Sequence, residues 1–152
     1  LNSVSAESIS KEEAEEIKVL YRVIGELESL GDSGENISRI LERERVHNRK
    51  FDEATIEKIN LMISKVDFAY GVMVENLDKA ANGYVRDIAN AYNAEDVINE
   101  TRDKLREEGI AQIESHTGNY QSLNYFLDII AELEAMGDFM INVSQAVVRN
   151  DN

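Results

Sequence analysis

Residues 132–144 read Glu132-Leu133-Glu134-Ala135-Met136-Gly137-Asp138-Phe139-Met140-Ile141-Asn142-Val143-Ser144, and residues 26–38 read almost the same. The earlier stretch, Glu26-Leu27-Glu28-Ser29-Leu30-Gly31-Asp32-Ser33-Gly34-Glu35-Asn36-Ile37-Ser38, lies 106 positions upstream and is identical at seven of thirteen positions. The identities are Glu26/Glu132, Leu27/Leu133, Glu28/Glu134, Gly31/Gly137, Asp32/Asp138, Asn36/Asn142 and Ser38/Ser144. An apolar helical stripe alone would not repeat a glycine, three acids and an asparagine at fixed offsets, so the chain carries an internal repeat.

Working outward, both copies sit in long segments with apolar or small residues every three or four positions, the period of an amphipathic helix. Ser10 and Glu13 have capping-box spacing and open helix A, expected over 11–48, with a stripe at Ile17, Leu20, Ile24, Leu27, Gly31, Gly34, Ile37 and Leu41. Helix B, expected over 52–82, is capped by Asp52 and carries Ile56, Ile59, Ile63, Val66, Tyr70, Met73 and Leu77. Asn82-Gly83 is its expected stop, through a left-handed C-terminal residue. Helix C, over 84–114, has a thinner stripe of Val85, Ile88, Ala91, Tyr92, Glu95, Ile98, Thr101, Leu105 and Ile110, which leaves room for a homodimer. Helix D, over 119–149, carries Leu123, Phe126, Ile130, Leu133, Gly137, Met140 and Val147. Four long helices with short connections predict one all-α domain over 1–152, an up-down antiparallel four-helix bundle.

Composition agrees. Among 152 residues there is no proline and no cysteine, which fits uninterrupted helices and excludes disulfides, thiolate metal sites and cysteine nucleophiles. A net charge of −14 argues against a nucleic-acid partner, because phosphate backbones are held by Lys and Arg clusters. An acidic surface instead attracts cations, basic partners or metals. Apolar runs such as Val72-Met73-Val74 fall far short of the ~20 residues a spanning helix needs.

Within each copy two carboxylates stand four residues apart, Glu28 with Asp32 and Glu134 with Asp138, and so neighbour one another on one helix face. Each pair reads in two ways. It is half of an oxygen-ligand site for iron, manganese, magnesium or calcium, or it is a pair of acids flanking a core that the glycines pack tightly. A ferritin-like di-iron centre needs Glu-x-x-His on two helices; Glu44-Arg45-Val46-His47 supplies one and His116 lacks the acid, so that enzyme is excluded. The sequence also lacks a Gly-x-Ser-x-Gly elbow and a phosphate-binding Gly-Lys-Ser/Thr loop.

The two motifs resemble the hallmark of the PhoU family, bacterial regulators of phosphate uptake. There an acid-Leu-Glu-Arg-Ile-Gly-Asp-His-x-x-Asn-Ile run ends each of two three-helix repeats. Glu26, Leu27, Glu28, Gly31, Asp32, Asn36 and Ile37 match in the first copy. Glu132, Leu133, Glu134, Gly137, Asp138, Asn142 and Val143 match in the second. Ser29 and Ala135 stand at the family's Arg, Ser33 and Phe139 at its His. The resemblance implies a metal-binding role for Glu28, Asp32, Glu134 and Asp138. It also implies that helix A closes one repeat while helices B, C and D form the next. The stretch Asn99–Arg106 is similar to the PhoU-like tails of bacterial sodium/phosphate cotransporters, and the start at Leu1 fits a piece of a longer chain. The expectation is therefore a non-catalytic regulatory domain of phosphate uptake, cytoplasmic and attached to the inner membrane face as part of a transporter. Its partner would be the membrane transporter domain or a sensor protein. A stand-alone PhoU-type regulator bridging a transporter and a sensor kinase is the alternative, and a metal-dependent helical-bundle enzyme the third.

Overall fold

The structure is a computed structural model and describes residues 9–47, 50–116 and 119–148. It is an all-α four-helix bundle: α1 (Lys11–Val46), α2 (Glu53–Ala81), α3 (Ala89–Glu114) and α4 (Tyr120–Val147). Among the described residues no strand forms, only an isolated bridge between Val85 and Val148, and no helix is long and apolar enough to cross a membrane.

The helix starts are set by local chemistry. Ser10 accepts from the Glu13 amide while the Glu13 carboxylate accepts from the Ser10 amide, the reciprocal box expected at α1. Asp52 accepts from the Thr55 amide at 2.7 Å and opens α2. Asn119, which sequence reading passed over, caps α4 by accepting from the Gln121 and Ser122 amides. Helix α3 begins at Ala89, five residues after the expected 84. Residues 84–88 are drawn out because Val85 bridges Val148 and the Asp87 carboxylate accepts from the Ala89 amide. No left-handed residue ends α2; Asn82 has φ −105°, and the left-handed turn belongs to His116, with φ 54°. The expected last residue of helix A, Asn48, and of helix D, Arg149, lie outside the described residues.

Helix α4 is the hub. It packs against all three other helices, α2 packs also on α3, and no Cα of α1 comes within 8 Å of one in α2 or α3. Reciprocal contacts give the directions. Glu26 meets Asn142 and Asn36 meets Glu132, so α1 runs antiparallel to α4. Ile98 lies on Gly137 and Leu127 on Gly109, so α3 is antiparallel to α4 as well. Asn76 meets Asn90 and Lys58 meets Glu108, which makes α2 and α3 antiparallel.

This arrangement revises the core of α1. Of the stripe expected to be buried, Ile37 packs on the core, but Ile17 is exposed by 42 %, Leu20 by 59 %, Ile24 by 60 %, Leu27 by 39 % and Leu41 by 44 %. The seam on α4 is instead Val23, Ser33 and Ile40, all buried, with Val19, Leu30 and Ile37 half-buried beside them. Both stripes have helical period. With one neighbour only, α1 can cover one of them. The same happens on α2, where Val66 and Met73 are buried but Ile56, Ile63 and Tyr70 stay about half exposed.

Candidate functional site

The two motifs face each other across the α1–α4 seam. The Asn36 amide donates to the Glu132 carboxylate at 3.3 Å, and the Asn142 amide donates to the Glu26 carboxylate at 3.2 Å. Each bond joins the first residue of one copy to the eleventh of the other. The pair is therefore a clasp with pseudo-two-fold symmetry, and it accounts for two of the seven identities. At equivalent positions of the two copies, Ser33 is buried on this seam and Phe139 is half-buried.

The remaining identities are used on one side only. Leu133 is 4 % exposed and Ser144 fully buried, where the Asn76 amide donates to the Ser144 hydroxyl at 3.0 Å. Gly137 admits α3 so closely that a Cβ there would lie 3.0 Å from Ile98 Cδ1. At Gly31, the equivalent position in α1, nothing lies within 4 Å of an added Cβ.

The carboxylate pairs diverge in the same way. Glu28 and Asp32 are exposed on α1. Glu134 and Asp138 are joined by Glu95 and Arg102, contributed by α3, to form one cluster. The Arg102 guanidinium donates to Glu134 and also to Asp103. Glu95 shares a hydrogen bond with Asp138. Burial raises the Glu95 carboxyl above its ordinary value, and the Asp138 charge beside it adds to the rise. Burial raises Asp138 too, with Glu134 adding, while Arg102 and the hydrogen bond from Glu95 work against the rise. Beside the cluster is a cavity of about 10 Å³ lined by residues that include Glu95, Gly137 and Ser144, no larger than one water.

A pH prediction follows. A carboxyl whose folded pKa is raised favours the protonated fold, so its ionisation weakens the fold as pH rises through that pKa. Thermal melting of the Glu95→Gln variant by circular dichroism should show a higher Tm than wild type at pH 7.5. The gap should close towards pH 4, below the ordinary Glu value of 4.5. An equal offset at both pH values would show that Glu95 carries no such penalty.

The four acids assigned by the resemblance are therefore not gathered into one site. Among the described residues no group of three or more His, Asp or Glu is placed to hold a metal ion. At the second copy the Arg102 guanidinium already supplies the positive charge that a cation would bring. At the first, the two exposed carboxylates would leave most of a hard cation's coordination positions to water. Sequence reading missed Glu95 and Arg102. The signal was present: an acid inside the stripe of helix C, with an arginine seven residues later on the same face. No protein-family model, curated protein or solved structure matches the chain.

Proposed function

We propose that this chain is a non-catalytic regulatory domain of the PhoU-like kind. In this reading it serves phosphate uptake as the cytosolic tail of a sodium/phosphate cotransporter, and it works by binding and shifting the populations of its partner's states. The observation that carries the reading is the clasp: a motif of PhoU-like pattern occurs twice, and its two copies bond reciprocally through Glu26–Asn142 and Asn36–Glu132. A further support is the outer stripe of α1, which offers an apolar surface to a partner.

The test is sodium-driven phosphate uptake in cells whose cotransporter carries this domain intact or with the exposed residues Leu20 and Leu27 both changed to Glu. Uptake rate, or its response to internal phosphate, is expected to change at least twofold. Identical uptake, with transporter levels matched, overturns the reading.

The resemblance also suggests metal ligation, and here the residues argue otherwise. We infer that Glu134 and Asp138 serve as partners of Arg102 and Glu95. Elemental analysis of the purified chain is expected to find no stoichiometric iron or manganese. One equivalent of metal in the wild type, lost in Glu134→Ala, would reverse the assignment.

A further inference from the structure

Helix α2 ends on Asn82-Gly83, the only Asn-Gly pair in the sequence, and both residues are exposed. The Asn82 backbone amide donates to the Asp78 carbonyl at 3.1 Å. Its side-chain amide donates to the same carbonyl at 2.9 Å and to the Asp78 carboxylate at 3.3 Å. All three bonds rest on one residue of the last turn, so they are lost together when that helix end frays. A Cβ at Gly83 would meet nothing nearer than the Lys79 carbonyl oxygen, at 4.0 Å, so the folded backbone has room for a larger residue there. What glycine supplies is chemical: its amide nitrogen has no side chain to hinder approach to the side-chain carbonyl of Asn82. Two residues beyond, Val85 is 3 % exposed and bridges Val148, which anchors the connection to α3.

We propose that Asn82-Gly83 is a self-modifying site whose slow conversion releases the last turn of α2 in one direction only. In the folded turn, Asn82 has ψ 6°, which keeps the Gly83 nitrogen turned away from the Asn82 side-chain carbonyl carbon. Once the turn opens, the Gly83 amide gives its proton to hydroxide and its nitrogen attacks that carbon. A C–N bond forms, the bond to the side-chain nitrogen breaks, and ammonia leaves with a proton taken from water. Water then opens the resulting succinimide at either carbonyl, leaving aspartate or isoaspartate at position 82. No oxidant or cofactor is consumed. Neither product can rebuild the turn. A carboxylate there only accepts hydrogen bonds, so the donors to Asp78 are gone. It would also face the Asp78 carboxylate and the final carbonyls of α2, the negative end of the helix dipole. Isoaspartate in addition lengthens the main chain by one carbon between α2 and the anchored Val85. The inference holds whichever process the domain serves.

The test is to hold the intact protein in warm, mildly alkaline buffer for several weeks and follow each asparagine by peptide mass spectrometry. Isoaspartate is counted separately by enzymatic methylation with an isoaspartyl methyltransferase. Asn82 is expected to convert before any other asparagine, with isoaspartate among the products. Gly83→Ala should slow the conversion at least tenfold while melting as wild type does, because the folded site has room for the methyl group. Asn82→Asp, which carries one product outright, should melt below wild type by circular dichroism, and the gap should narrow in high salt. Other asparagines converting first, or an unchanged rate in Gly83→Ala, would overturn the proposal, the latter pointing to direct hydrolysis of the side-chain amide. An Asn82→Asp variant that melts together with wild type in low salt overturns it as well, since the turn would then survive its modification.

Discussion

Gly137→Leu is expected to lower stability by about 1–3 kcal/mol, the usual cost of forcing extra methylenes into a filled site, whereas Gly31→Leu should raise it. The two glycines occupy the same position of the repeated motif, each preceded by a large apolar residue and followed by Asp. What differs is space. A Cβ at position 137 already meets Ile98 Cδ1 at 3.0 Å and Cγ2 at 3.3 Å, so a leucine there must push α3 away from α4. A Cβ at position 31 meets nothing within 4 Å. There the gain in helix propensity over glycine, roughly 0.5–1 kcal/mol, acts unopposed. Chemical denaturation of the two variants beside wild type should therefore move the midpoints in opposite directions. Midpoints moving the same way would mean that α3 does not seat on Gly137.

Ile130→Ala should be the more damaging change in absolute terms, at about 2–5 kcal/mol for a large-to-small substitution that leaves a cavity. Ile130 is 0 % exposed, and α4 is the only helix in contact with all three others, so a void there has little room to collapse. Its repeat equivalent, Ile24, is 60 % exposed. Ile24→Ala should change stability by no more than about 0.5 kcal/mol, as for ordinary surface positions. A loss above about 1 kcal/mol at Ile24 would show that the outer face of α1 is already covered by another part of the same molecule.

Helix number, the caps at Ser10 and Asp52, and the core of α4 were legible in the sequence, because periodicity and capping chemistry are local. Which apolar stripe of α1 would be buried was not. Both have the right period, and only the identity of the neighbouring helix decides between them. The stripe through Ile17, Leu20, Ile24 and Leu27 looks the more hydrophobic, yet the weaker one through Val19, Val23, Leu30, Ser33 and Ile37 makes the seam. The late start of α3 was hidden for a related reason, since the Val85–Val148 bridge joins residues far apart in sequence. At the candidate site, sequence spacing correctly made Glu134 and Asp138 neighbours. It gave no account of Arg102, which comes from another helix and alters the chemistry of the pair. The asparagines of the motif were visible as identities, but their role required knowing the register in which α1 packs against α4.

The position of α4 as hub also bears on how the polypeptide acquires its fold during synthesis. Among the four described helices α1 packs only against α4, the last of them to be made, so about seventy residues of α2, α3 and their connections must leave the ribosome before α4 begins to emerge. At ordinary translation rates of ~5–20 residues per second, α1 waits several seconds with its future seam open to water. A premature stop ahead of Tyr120 would leave only the α2–α3 contact among the helices and expose the inner faces of all three. Truncated products of this kind should be cleared by proteolysis, not accumulate as a smaller folded species.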